Sequence, residues 1–222
     1  MRENLLKTKP NHYYNYLLID SGKLLNLIDK LEASRQFIDQ KVVEDFKMTI
    51  IYIGKGSNNR KMFHIKDAKH RMDYDIEYNS KSESIINVWK NGNGIIALQL
   101  FCESNHYVSL SRENAMIRAA KPNITNIRNG SAYGVMKTEW TNKEIIAFGN
   151  NLLYYALKKC IIEQPSPIFP TNLMSKKKKP TDFIRTKYEY DGIMELFLEL
   201  WNVSKEHTFL LDKMPHYWFF CQ

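Results

Sequence analysis

Tyr52, Arg60 and His64 are the residues of this chain whose types and spacing are best suited to chemistry. They follow one another around the segment YIGKG at 52–56, where a predicted strand runs into a glycine turn and a helix follows. Arg60 and His64, four residues apart, share one face of that helix. Glycines allow a phosphate to approach the backbone closely, and a guanidinium binds two phosphate oxygens at once. A phenol, a guanidinium and an imidazole around one small concavity suit work on a phosphodiester.

Three further side chains extend this constellation. Lys55 is predicted to place a cation beside Tyr52, which would favour the phenolate over a phenol whose ordinary pKa is about 10. Glu113, between Arg112 and an asparagine, is predicted to lie in the first turn of a helix. A lone carboxylate is a plausible anchor for hydrated Mg²⁺, which takes one or two carboxylates together with waters and phosphate oxygens. Tyr16 faces the same side as Tyr52 if their strands pair antiparallel.

The elements that must position these residues follow from the apolar spacing and the turn residues. Taken singly, each candidate residue also has a purely structural explanation, such as a buried tyrosine with a bonded hydroxyl or an asparagine in a turn. Predicted strands cover 13–20, 47–53 and 95–102. Helical spacing predicts an insertion at 23–45 and helices at 57–71, 82–90, 109–120, 142–163 and 190–201.

The proline pattern predicts the division of the chain. Residues 1–164 form the predicted catalytic domain, 165–180 a linker or loop rich in proline and lysine, and 181–222 a helical, aromatic extension that packs on the core. Lys176–Lys179 are interpreted as a solvated loop, with a phosphate-contacting arm built on Lys176 and Lys177 as the alternative.

Composition bounds the class of protein. Hydrophobic residues make up 44% of the 222, which argues against wholesale disorder. The sequence contains no run of roughly 18 apolar residues, so no membrane span is predicted. The N-terminus lacks the apolar core of a signal peptide. An intracellular protein is therefore expected, in the cytoplasm or the nucleus. The start at Met1 favours a complete chain. Three scattered cysteines predict buried free thiols rather than zinc ligands or disulfides. The net charge of +8 favours a polyanionic partner such as nucleic acid.

The order of the candidate residues resembles that of the GIY-YIG nuclease superfamily. The matching positions are Tyr16, the triplet at 52–54, Arg60, His64, Glu113 and Asn126. The resemblance is closest to the branch found at the C-terminus of animal ankyrin-repeat and LEM-domain nucleases. That branch shares YLLID at 16–20, Arg-Glu at 112–113, Thr-Asn at 125–126 and Tyr-Gly at 133–134. The resemblance covers about residues 13–160. Asn15-Tyr16 stands where the superfamily has Gly-Ile-Tyr, and no ankyrin or LEM segment is present.

The resemblance implies an α+β fold: a small three-stranded antiparallel sheet flanked by helices, here with the helical insertion and a C-terminal helical extension. It also implies hydrolysis of a phosphodiester with one divalent metal, Mg²⁺ or Mn²⁺, held by Glu113. Tyr52 would activate the water, assisted by Lys55 or His64, and which of Tyr52 and His64 takes the proton stays open. Tyr16 would position the water or bond the phosphate.

Two more roles come with the resemblance. Arg60 would clamp the scissile phosphate and Asn126 would brace the site. Lys55, Arg60 and Arg112 are then the DNA-contacting candidates within the domain.

The substrate implied by the nearest branch is branched or distorted DNA, cut by a structure-selective endonuclease. The alternatives are a sequence-specific endonuclease of restriction or homing type, whose C-terminal segment reads bases, and a nucleic-acid-binding module without activity. Retention of Tyr52, Arg60, His64 and Glu113 argues against the last alternative, since a module without activity has no need of all four. The oligomeric state does not follow from the sequence.

Overall fold

The computed structural model describes residues 12–35 and 37–173, which contain three strands, seven α-helices and one 3₁₀ helix. In chain order these are β1 (Tyr13–Asp20), α1 (Ser21–Ser34), α2 (Gln40–Lys47), β2 (Ile50–Ser57), α3 (Arg60–Asp73), α4 (Ser80–Lys90), β3 (Ile95–Ser104), α5 (His106–Ala120), α6 (Val135–Thr138), α7 (Asn142–Glu163) and the 3₁₀ helix Pro170–Leu173.

The three strands form one antiparallel sheet in the order β2-β1-β3. The central strand β1 is buried on both faces because its alternating side chains enter two separate cores. Leu17 and Ile19 pack with α1, α2, α5 and α7. Tyr14, Tyr16 and Leu18 pack with α3 and α4 on the other face. The predicted fold class, a small three-stranded antiparallel sheet flanked by helices, is confirmed.

The helical insertion predicted at 23–45 is a pair of helices, α1 and α2. Asp20 ends β1 and caps α1, accepting hydrogen bonds from the backbone N–H groups of Gly22 and Lys23. Asp39 caps α2 in the same way, through the N–H of Val42. Each helix therefore has its own aspartate N-cap, whereas the apolar spacing alone predicts a single helical segment.

Strand β2 lies three residues later at its start, and four later at its end, than the predicted strand 47–53. Helix α2 retains Lys47, and the strand continues through the glycines to Ser57. It continues because β1 is long enough to pair with both glycines: Tyr16 lies opposite Gly54 and Tyr14 opposite Gly56. The predicted glycine turn at 54–56 is wrong, since these residues are part of the strand.

Helix α5 begins three residues earlier than the predicted 109–120, because Asn105 rather than a serine is the N-cap and accepts from the N–H of Tyr107. Glu113 consequently lies in the third turn of α5, and its predicted place in the first turn is wrong. The helix predicted at 57–71 is α3, which begins at Arg60, and the one predicted at 82–90 is α4, capped by Asn79. Helix α7 has its predicted bounds.

The start of the predicted linker lies against the sheet. Ile168 forms an antiparallel bridge with Ile95, and the indole N–H of Trp89 donates to the carbonyl of Ile168 at 3.0 Å. The predicted helix 190–201, the lysines at 176–179 and the extension 181–222 lie outside the described residues, so the predicted domain boundaries stay predictions.

Two compositional expectations bear on the described residues. Cys160 is a buried free thiol as expected, whereas Cys102 is an exposed one, so the prediction of burial is wrong for Cys102. Within residues 12–35 and 37–173, no helix combines the length and the apolar character needed to cross a membrane.

Candidate active site

The phenols of Tyr16 and Tyr52 lie on the same face of the sheet. Tyr16 is paired with Gly54, and Tyr52 with Leu18, so both side chains project toward α3 and α4. Their ring centroids are 6.0 Å apart, and the two ring planes are tilted by 42°. Tyr16 is buried with 1% of its surface exposed, whereas Tyr52 is half-buried. Tyr52 is therefore the phenol that a bound substrate can reach.

Gly54 and Gly56 are required by close approaches to β2. A Cβ atom on Gly54 would lie 2.5 Å from Cζ of Tyr16, and one on Gly56 would lie 2.8 Å from Cβ of Arg60. Both distances are shorter than a van der Waals contact, so a side chain at either position displaces its neighbour. The first glycine makes room for the Tyr16 ring, and the second makes room for the start of α3.

Helix α3 brings Arg60 and His64 to the tyrosines. The His64 ring centroid lies 4.9 Å from that of Tyr52 and 6.4 Å from that of Tyr16. Arg60 is the first residue of α3 and is exposed, and its positive charge acts to lower the pKa of Tyr16, Tyr52 and His64. Tyr16, Tyr52, Arg60 and His64, which we call the tyrosine–histidine cluster, therefore occupy one side of β2.

Glu113 reaches the site from the open edge of the sheet. β2 is an edge strand, and the backbone N–H of Lys55 donates to Oε1 of Glu113 at 3.0 Å. Burial raises the pKa of Glu113, although the Lys55 N–H and the Lys55 charge act in the opposite direction. The Glu113 charge in turn acts to raise the pKa of Tyr16 and Tyr52, so this carboxylate interacts electrostatically with the two tyrosines of the cluster.

Asn126 and Thr125 complete the open edge of β2. The Asn126 side chain accepts from the N–H of Ile53 at 3.0 Å and donates to the carbonyl of Ile53 at 2.7 Å. The N–H and hydroxyl of Thr125 both donate to the carbonyl of Ile51 at 2.9 Å. The loop after α5 thus supplies the hydrogen bonds that a fourth strand would make. Asn126 contacts backbone, which is the arrangement of a residue that braces the site.

Lys55 lies elsewhere than beside Tyr52. Its Nζ is 2.7 Å from Nδ1 of His106 and 4.0 Å from the ring centroid of Tyr13. Burial is the largest cause of a raised pKa at both Tyr52 and Tyr16, and the prediction that Lys55 would favour the Tyr52 phenolate is wrong. The Lys55 side chain and the exposed His106 and Tyr107 instead form a cationic, aromatic surface next to Glu113.

Lys81 of α4 lies in the site and is not among the residues predicted from the sequence. Its Nζ lies 3.6 Å from the ring centroid of Tyr52 and 3.4 Å from Nε2 of His64. The spacing carried a signal, since Lys81 precedes Ile85 by four residues and Val88 by seven, and both are buried. Lys81 thus extends the buried face of α4, where a lysine is unusual.

The remaining predicted DNA contacts are less central. Arg112 is half-buried, donates to Oγ of Ser104 at 2.8 Å, and holds its guanidinium 4.8 Å from the ring centroid of Phe101. These contacts place Arg112 beside the end of β3. Lys176 and Lys177 lie outside the described residues.

The described residues fit one hydrated divalent cation at Glu113. Within this part of the chain, no group of three or more His, Cys, Asp or Glu side chains is arranged as a closed metal site. A single carboxylate suffices for Mg²⁺ or Mn²⁺ where waters and substrate oxygens supply the other ligands. The backbone contact of Glu113 uses Oε1, and a carboxylate has further lone pairs for a cation. An open site of this kind depends on a phosphate to complete it.

The fold and the site together define a GIY-YIG domain, the class in which tyrosines on two antiparallel strands, an arginine and a histidine on the next helix, and a glutamate on a later helix converge. The chain belongs to the LEM-3-like GIY-YIG domain family, whose family model matches residues 13–175. Membership of a GIY-YIG family implies a nuclease domain.

The relatives that the chain resembles in sequence are much longer proteins. The ankyrin repeat and LEM domain-containing protein 1 homolog of Caenorhabditis elegans is 29% identical over 141 residues, which cover 61% of this chain and 20% of that protein. The ankyrin repeat and LEM domain-containing protein 1 of Homo sapiens is 24% identical over 182 residues, which cover 79% of this chain and 28% of that protein. The chain therefore spans less than a third of either relative. No solved structure matches it significantly.

Proposed function

We propose that this chain is a divalent-metal-dependent DNA endonuclease whose catalytic groups are the tyrosine–histidine cluster and Glu113. The observation that carries the proposal is the position of β2 between these groups. On one side of β2, the ring centroids of Tyr52 and His64 are 4.9 Å apart. At the edge of β2, the backbone N–H of Lys55 donates to Glu113. A phosphate at this end of β2 is within reach of a phenol, a guanidinium and a carboxylate-bound cation. A phenolate can accept a proton from water, and a guanidinium and a bound cation can stabilise the charge that develops on the phosphate.

Glu113 holds the cation in this proposal. When bound, Mg²⁺ or Mn²⁺ supplies stabilisation of the negative charge that develops on the phosphate and the leaving oxygen. The raised pKa of Glu113 reflects a carboxylate with little compensation for its burial, and a cation provides that compensation. Asn126 keeps β2, and with it the Lys55 N–H, in position through its two hydrogen bonds to Ile53.

Tyr52 takes the proton of the attacking water in its phenolate form, which then becomes the neutral phenol. The pKa of His64 is lowered to about 4, mainly by burial, so the neutral imidazole is a weak base. Burial and the Glu113 charge raise the pKa of Tyr52, whereas the charge of Arg60 acts in the opposite direction and favours the phenolate; a cation held by Glu113 would offset the opposing charge. Tyr16 is more deeply buried and positions Tyr52 by packing beside it, with 6.0 Å between the two ring centroids. Arg60, exposed at the start of α3, clamps the scissile phosphate and stabilises the charge in the transition state.

Branched or distorted DNA is the substrate that this site suits. The net charge of +8 supplies affinity for the DNA backbone without regard to sequence, and Lys55 next to Glu113 is placed to contribute to it. A three-stranded sheet has little surface for reading many base edges. Selectivity then comes from deformability, because branch points and nicks let the duplex bend at low cost. An intracellular location accords with such a substrate.

The experiment is cleavage by the wild-type chain of a four-way junction, a flap and a linear duplex of matched sequence, with Mg²⁺ and with EDTA. We expect Mg²⁺-dependent cutting of the branched substrates well ahead of the duplex. Absence of cutting in every substrate, with binding retained, would replace the proposal by a binding module without activity. Efficient cutting of the linear duplex at one recurring site would replace it by a sequence-specific endonuclease.

A further inference from the structure

Lys81 makes two contacts with the groups proposed to act on water. Its ammonium nitrogen lies 3.6 Å from the centroid of the Tyr52 ring and 3.4 Å from Nε2 of His64. The first is a cation–π contact and the second is a hydrogen-bond distance. Lys81 is half-buried, as Tyr52 and His64 are. One lysine of α4 thus connects a residue of β2 with a residue of α3.

The direction of the Lys81–His64 hydrogen bond follows from chemistry. Burial lowers the pKa of Lys81 to about 8, so the ammonium form prevails at neutral pH and below; this form has donors and no acceptor, and Nε2 of His64 then accepts. A neutral imidazole that accepts at Nε2 carries its proton on Nδ1. The contact therefore selects one tautomer of His64 and occupies the nitrogen that would otherwise take a proton from water or from Tyr52.

We propose that Lys81 is a positioning residue that holds His64 as the neutral Nδ1–H tautomer and fixes the ring of Tyr52, leaving Tyr52 as the base of the reaction. The assignment rests on the proposed nuclease function for its catalytic meaning, whereas the tautomer of His64 is a property of the free protein. It gives a reason for a half-buried lysine on the apolar face of α4, where among the described residues no carboxylate forms an ion pair with it.

The charges around His64 set the expected direction of the pH effect. On α4 it faces Lys81, on α3 Arg60 and Asp67, and on the strands the neutral phenols Tyr16 and Tyr52. Lys81 and Arg60 act to lower the pKa of His64, and Asp67 acts to raise it, with burial the largest cause of the lowering to about 4. Loss of the Lys81 charge therefore raises the pKa of His64.

Nuclear magnetic resonance of the ¹⁵N-histidine-labelled chain tests the tautomer without any substrate. In the wild type, the two nitrogen shifts of His64 should show Nδ1 protonated and Nε2 unprotonated at neutral pH, with titration only near pH 4. Lys81→Met should mix the tautomers and move the titration upward, and Lys81→Arg should restore the wild-type pattern. Lys90→Met, a matched change at an exposed lysine of the same helix, should leave His64 unchanged.

Single-turnover cleavage in Mg²⁺ tests the catalytic meaning. Lys81→Met should lower the rate at least tenfold at pH 7, where the wild-type lysine is mostly charged, and by a larger factor at pH 6, as His64 gains a proton; the protein concentration that gives the half-maximal rate should change little, and Lys81→Arg should recover most of the rate. An unchanged tautomer and titration of His64 in Lys81→Met would overturn the proposal, as would a rate loss of equal factor at both pH values. Absence of cleavage by the wild type would contradict the proposed function and leave the tautomer result standing.

Discussion

The ring of Tyr16 lies across the α-carbon of Gly54 on the neighbouring strand, and a methyl group on that carbon would lie 2.5 Å from Cζ of the ring. This contact fixes the position of the buried phenol. It also fixes the backbone of β2 next to Lys55, whose N–H donates to Glu113. The glycine of the YIG triplet therefore serves the packing of a tyrosine from the other half of the site.

Replacing Gly54 with Ala should destabilise the domain by about 1–3 kcal/mol, because the new methyl group overpacks the core against Tyr16. Cleavage should fall as well, since Tyr52 and Lys55 lie on the same strand. Denaturant unfolding measures the first effect. In a Tyr16→Ala background the same replacement should cost much less, and an equal cost in both backgrounds would show that Tyr16 is not the obstacle.

Replacing Arg60 with Ala should slow single-turnover cleavage by about 10²–10³-fold with little loss of DNA binding, because its proposed role is to stabilise charge in the transition state. Lys66→Ala, at an exposed cation on the same helix, is the matched control and should leave the rate near that of the wild type. A rate loss below tenfold for Arg60→Ala would remove this residue from the site.

Much of the site could be predicted because its residues belong to short segments whose order resembles a known pattern. Tyr16 and Tyr52 are brought together by the antiparallel pairing of β1 and β2, and Arg60 and His64 share a helix face, so local periodicity suffices for both pairs. Asn126 could be assigned a bracing position, although its contacts with the backbone of Ile53 depend on how the loop after α5 folds back.

The remainder depends on tertiary packing that no local pattern specifies. The sequence predicts a turn at the glycines, whereas the length of β1 draws Gly54 and Gly56 into the sheet. The sequence predicts a lysine next to Tyr52, and a lysine is there, but it is Lys81 and not Lys55. Lys55 points to His106, and Lys81, which is distant in sequence, reaches Tyr52 because α4 packs on the same face of the sheet.

The stability of the domain should depend on pH through His64. The pKa of His64 is lowered to about 4 in the folded chain, against an ordinary value of 6.5, so between these values the unfolded chain binds the additional proton. The free energy of unfolding should therefore rise from pH 4 to pH 6.5 and lose that contribution as pH falls. Denaturant unfolding of the wild type and of His64→Gln isolates it, and parallel pH profiles for the two chains would contradict the lowered pKa.

Cuts should follow the branch point of the DNA rather than its sequence. A junction moved through several unrelated sequences should be cut at a constant offset from the branch, with little base preference, because the deformability of the DNA determines which phosphate reaches β2. High-resolution mapping of the product ends measures this offset. Cuts that remain at one sequence motif while the branch moves would favour a sequence-specific endonuclease.

Glu113→Gln provides the most direct test of the claim that one carboxylate at the edge of β2 holds the catalytic cation. The amide oxygen of glutamine can still accept from the Lys55 N–H, so the fold and DNA binding should be preserved within a few-fold. Glu139→Gln, at an exposed glutamate, is the matched control. Single-turnover cleavage of a four-way junction in Mg²⁺ should be abolished by Glu113→Gln and unaffected by Glu139→Gln. Turnover by Glu113→Gln near the wild-type rate would contradict the assignment of the metal to this residue.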